Sequence, residues 1–126
     1  MKKFFALILC LVAVCSFSLA SASTTFSYSG NEKVNFIQWS QPAKSTGKNW
    51  HITWGANNLS STNRAVVRVY AAPGVYASSL FVYSSPSTAY HPYKSAYGQG
   101  QSTTYLGGRM DNRDSGSLSV TGEFHN

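Results

Sequence analysis

Residues 64–76 read RAVVRVYAAPGVY. Valine recurs through the run, and no helical period of apolar residues fits it. In an extended chain, successive side chains point to opposite faces. Ala65, Val67, Val69 and Ala71 then share one face; Arg64, Val66, Arg68 and Tyr70 share the other. Pro73-Gly74 closes the run as a type II turn. Proline pre-sets φ at the first central position and glycine supplies positive φ at the second. The chain returns through VYASSLFVYS, residues 75–84. This strand–turn–strand unit predicts antiparallel sheet, with Arg64 and Arg68 as a basic stripe on its solvated face.

The same alternation recurs on both sides. TTFSYS (24–29) puts Phe26 and Tyr28 on one face, and Gly30-Asn31 follows as a hairpin signal. KVNFIQW (33–39) has apolar residues at both parities, as in a bulge or a strand covered on both faces. NWHITWG (49–55) aligns Trp50, Ile52 and Trp54 on one face. An isoleucine between two indoles marks a core face more than a sugar platform, so both indoles are expected inside. Trp39 ends its run before a loop and is expected nearer the rim. GQSTTYLGGRM (100–110) reads as strand, with Gly107-Gly108 at a bulge, and SLSVTGEFH (117–125) alternates cleanly. About seven strands and no amphipathic helix predict an all-β fold, a single antiparallel β-sandwich over residues 23–126.

The first 22 residues read as a cleavable signal peptide. Lys2 and Lys3 precede an apolar run from Phe4 to Phe17, and Ala20-Ser21-Ala22 gives a small-x-small cleavage pattern. The run is too short to span a bilayer, so no transmembrane segment is expected in the mature chain. Export makes the mature protein secreted and extracellular. Both cysteines, Cys10 and Cys15, lie in the leader. The mature domain then has no disulfide and depends on its core. Its eight Lys or Arg face only Glu32, Asp111, Asp114 and Glu123. That excess suits anionic partners, while the absence of a basic run argues against nucleic acid.

STAYHPYKSAYGQG (87–100) is a long connection carrying Tyr90, Tyr93, Lys94 and Tyr97. Long connections are often functional, and tyrosine offers a ring with a polar tip. Pro92 can open one helical turn that Gly98 ends, bringing Tyr93 and Tyr97 together at i,i+4. These four residues are the candidate ligand contacts. Chemistry is otherwise sparse. There is no catalytic motif or phosphate-binding glycine loop, so no enzyme is expected and no cofactor is implied. Glu123 and His125 share a strand face but make at most two metal ligands. DNRDSG (111–116) lacks the glutamate of a calcium loop and reads as a turn with local hydrogen bonds. Asn58-Leu59-Ser60 matches a glycosylation sequon, which is usually idle in bacteria.

Three features together resemble small exported β-rich proteins of Gram-positive bacteria, some of them bacteriocin-like: Trp50-His51-Ile52, the stretch from Tyr97 to Gly100, and the ending from Ser119 to Phe124. The double-glycine leader and amphipathic helix of pore-forming bacteriocins are missing. No catalytic or binding residue carries over. The expected function is non-enzymatic binding of cell-wall glycan or an anionic envelope surface. The alternative is an antimicrobial protein acting on a competitor's envelope, and a third reading is a matrix component.

Overall fold

A computed structural model describes residues 23–126; the predicted signal peptide lies outside the described residues. In chain order the strands are β1 (Ser23–Gly30), β2 (Ile37–Gln38), β3 (Ala43–Lys44), β4 (Asn49–Asn57), β5 (Ala65–Ala72), β6 (Val75–Tyr76), β7 (Phe81–Tyr83), β8 (His91–Pro92), β9 (Thr103–Met110) and β10 (Leu118–His125). The described residues are all-β, with two antiparallel sheets and no helix. One sheet has the order β1-β10-β4-β8. The other runs β2-β9-β5-β6, with β3 also on β9 and β7 also on β5.

Alternation sets the inner faces. Leu118, Val120 and Phe124 of β10 are fully buried, as are Trp50 and Ile52 of β4. They join Val67, Val69, Leu106 and Met110 of the other sheet in one apolar cluster. Full burial of such side chains contributes roughly 1.5–3 kcal/mol each, which is how a cysteine-free domain can hold together. Trp54 is half-buried at the edge of this cluster. Its ring meets Phe26 and Tyr83 edge-on, and its Nε1 donates to the Ser87 carbonyl at 3.1 Å.

Four local expectations are corrected. Trp39 is a core residue, 6 % exposed, stacked on Phe26 and Tyr28 at 5.7 and 5.2 Å. The run 33–39 contributes only β2 as strand, because Glu32 Oε1 accepts from Val34 N and Asn35 N and bends the chain there. Gly107 and Gly108 make no bulge: β5 and β9 stay in register, with Arg68 opposite Gly107 and Val67 opposite Gly108. They are glycines because rings lie over them. Trp39 packs on Gly108, and a Cβ on Gly107 would come within 2.6 Å of the Tyr70 ring.

The fourth correction concerns β5. Val66 and Tyr70, expected on a solvated face, are buried. Tyr70 is covered by the rings of Phe36, Tyr76 and Tyr105, and Val66 sits between Val82 and Arg109 on the flanking strands. The outer face is thus roofed by its neighbours' side chains. The turn after β5 forms as expected: Gly74 has φ +76°, and Ala72 pairs with Val75. The return strand splits into β6 and β7. Between them, Ser78 Oγ accepts from Val69 N at 3.0 Å where a strand partner would otherwise sit.

Candidate functional site

The outer face of the β9–β5–β6 sheet carries a set of rings and cations that register brings together. Tyr70 pairs with Tyr105 on β9 and with Tyr76 on β6. The Tyr70 and Tyr105 rings stack at 5.5 Å, and Phe36 leans on Tyr70 at 6.0 Å. Arg68, two residues from Tyr70 on the same face, holds its guanidinium 4.0 Å from the Tyr76 ring centre and 5.9 Å from that of Phe36. Arg109 lies over Phe36 at 5.1 Å. Beside them opens a cleft of about 380 Å³ bounded by Phe36, Gln38, Tyr70, Tyr76, Tyr105 and Gly107.

The electrostatics of this face are one-sided. Arg68 Nε is buried without a hydrogen-bond partner among the described residues. The four carboxylates are engaged elsewhere. Asp114 accepts from Arg64 N, Nε and Nη2, and Asp111 is held by Arg113 at 2.6 Å. Glu32 closes its own turn, and Glu123 lies 3.7 Å from His125. The arginine hydrogen bonds hold the Asp111 and Asp114 carboxyls well below the usual range. Burial raises the Tyr70 and Tyr105 phenols, so both stay protonated and can donate at neutral pH.

The six residues proposed from sequence separate. Lys94 is exposed, with Nζ 6.0 Å from the Tyr76 ring, so it joins Arg68 at the edge of the aromatic face. Its backbone N–H donates to the Ala77 carbonyl at 2.9 Å and pins the long connection there. Arg64 drops out of the basic stripe, because Asp114 takes its guanidinium in a two-point contact. Tyr93 is turned inward: it is 7 % exposed, its hydroxyl lies 3.4 Å from Thr104 Oγ1, and burial pushes its phenol up to about 12. Pairing of β8 with Asn49 and Trp50 of β4 draws Tyr93 inward. Pro92 belongs to that strand, so the expected helical turn does not form; Tyr97 N instead donates to the Lys94 carbonyl at 2.9 Å. Tyr97 is half-buried against the core.

Tyr90 is 67 % exposed but belongs to another surface. Its ring lies 4.3 Å from His51, which stacks on His125 beside a cleft of about 260 Å³. Between these surfaces Lys48, Asn49, Lys94, Gly98 and Gln99 border a third cleft of about 420 Å³. Gln99 is left-handed there, at φ +57°. Among the described residues, no group of three or more His, Cys, Asp or Glu is placed to hold a metal ion.

Sequence reasoning missed Phe36, Tyr70, Tyr76, Tyr105 and Arg109. Alternation already set Tyr70 and Arg68 on one face. Tyr76, Tyr105 and Arg109 reach that face through pairing of β5 with β6 and β9, and Phe36 through the pairing of the following β2 with β9, which local pattern does not encode. Comparison with protein-family models, with curated proteins and with solved structures gave no match.

Proposed function

We propose that this is a non-enzymatic, secreted protein that adheres to a cell-envelope polysaccharide, built as a single β-sandwich with its contact surface on the outer face of the six-stranded sheet. A core cluster fed by both sheets supports the sandwich reading. The observation that carries the function is the convergence of Arg68 and Lys94 on the exposed Tyr76 ring, beside an open cleft floored by Tyr70 and Gly107. Rings in a shallow cleft can stack on the apolar faces of sugars. Cations at its margin favour an acidic surface and speed encounter with it. The face is preassembled by ring packing, so little side-chain entropy is lost on binding.

The test is co-sedimentation of residues 23–126 with insoluble cell-wall material. Wild type is expected in the pellet, and Tyr76→Ala mostly in the supernatant. Equal pelleting of both proteins, or no pelleting of either, defeats the reading.

One observation favours the antimicrobial, bacteriocin-like alternative. Val34 and Ile37 are exposed around the same cleft, at 80 % and 41 %. An apolar rim beside cations also suits the boundary of an anionic bilayer. Clearing of a lawn of related bacteria, with leakage from anionic vesicles, would favour it over adhesion.

A further inference from the structure

We infer that the polymer is anionic, and that Arg68 with Arg109 seats its oxyanion while the neighbouring tyrosine cleft holds an adjacent sugar. The inference rests on the polysaccharide-binding reading and adds the chemical class of the ligand. Pairing of Arg68 with Gly107 and of Val66 with Arg109 puts the two arginines diagonally across adjacent strands, on the same face. Both guanidinium groups lie over Phe36, at 5.9 and 5.1 Å from its centre.

Their hydrogen bonding is unequal in an informative way. Arg109 Nη1 already donates to the carbonyls of Lys33 and Met110, at 3.1 and 3.0 Å, which anchors that side chain. Arg68 is held by rings instead. Stacking occupies the faces of a guanidinium and leaves its in-plane N–H groups available, the geometry that meets a carboxylate or phosphate at two points. Its Nε is shielded from water with no acceptor among the described residues, whereas its Nη atoms are not so buried and are the donors an outside ligand can reach. None of the four carboxylates pairs with Arg68, and an oxyanion at those Nη atoms would supply the missing charge.

Gly107 keeps the position beside Arg68 free of a side chain, since a Cβ there would collide with Tyr70. Lys94, with Nζ 6.0 Å from the Tyr76 ring centre, adds a further positive charge beside that ring. The shared chemistry is an oxyanion repeated along a sugar chain, supplied either by a phosphodiester or by a uronate carboxylate.

Binding of residues 23–126 to a phosphodiester-bearing glycan (phosphomannan), polygalacturonate and neutral dextran is measured by titration calorimetry at low and moderate salt, alongside anionic vesicles. Binding is expected to one or both charged polymers and not to dextran, weakening as salt rises. The charged polymer bound more tightly identifies the source of the oxyanion. Arg68→Gln should lose at least tenfold in affinity, and Arg68→Lys, which keeps the charge without the fork, should recover only part of it. Lys44→Gln, which removes one exposed charge, should change affinity less than threefold. Melting curves establish that each variant is folded, and Arg68→Lys, with its long stem retained, serves if Arg68→Gln is not. Equal binding of dextran overturns the inference, as does wild-type affinity in both Arg68 variants, or binding to vesicles alone. Wall pelleting that persists unchanged in both Arg68 variants would sink the oxyanion seat and leave the envelope reading standing. Failure to bind the wall or any polymer sinks both.

Discussion

His51 on β4 and His125 on β10 sit directly opposite each other, with rings parallel to within 1° and centres 4.2 Å apart. Two imidazolium ions in that position would repel. Thr53 Oγ1 and Glu123 Oε2 lie 2.9 and 3.7 Å from His125 Nε2, so His125 has a polar and a negative neighbour, while His51 faces Tyr90.

Stability is therefore expected to fall on mild acidification. Burial first, and then the charge of His125, lower the His51 pKa; burial alone lowers that of His91. A group whose folded pKa is depressed gives up protons on folding. Its contribution is present above the unfolded value of about 6.5 and is lost as pH falls through the lower folded value. Melting temperature measured from pH 7.5 to 5 should drop, and His51→Gln should flatten the drop. A flat wild-type profile would contradict this.

Gly108→Ala and Gly107→Ala should each destabilise by roughly 1–3 kcal/mol, because the new methyl group meets the ring of Trp39 or Tyr70. Gly74→Ala meets nothing within 4 Å but inherits φ +76°, so its cost of about 1–2 kcal/mol is purely a backbone effect. Urea unfolding separates them from wild type. Near-neutral values at Gly107 and Gly108 would mean that the rings move aside.

Asp114→Asn should lower the melting temperature at neutral pH, since it weakens the ionic contact with Arg64 across the turn before β10. The Asp111 and Asp114 pKa values are depressed chiefly by hydrogen bonds from Arg113 and Arg64. Their contribution is present above the unfolded value of about 3.9 and is lost as pH falls below it. Acid unfolding followed by circular dichroism should therefore start below pH 4, and the variant should show a smaller change in that window. An identical acid profile in the two proteins would refute the assignment.

Tyr93→Ala and Tyr90→Ala should diverge although both stand on the same connection. Tyr93 is buried and its loss leaves a core cavity, with an expected cost of about 3–5 kcal/mol. Tyr90 is two-thirds exposed, and its removal should stay within about 0.5 kcal/mol. Paired urea curves decide it; similar midpoints would show that the connection is not docked as described.

The all-β, antiparallel character was legible in single runs. β5 announces itself through valine content and β10 through alternation, and Pro73-Gly74 marks the turn that Gly74's positive φ completes. Trp50 and Ile52 were recognisable as core because adjacent large apolar groups at period two need a dry face. Trp39 was misjudged because its burial depends on Gly108, a residue far along the chain whose missing side chain makes room for the indole. The tyrosine connection is only partly legible in sequence. Composition shows that four rings or charges are near one another in sequence, but not that β8 pairing turns Tyr93 inward and leaves Lys94 outward.

By itself the sequence determined which segments extend and which side chains share a face of each strand, because the pleat is a local property with a period of two residues. Only the tertiary structure decided that Arg68, Arg109, Lys94 and Tyr76 meet on one surface while Arg64 is claimed by Asp114. That choice lies in strand register and in which carboxylate reaches which guanidinium. Both are set by contacts between residues distant in the chain, whose energies depend on all the partners packing at once.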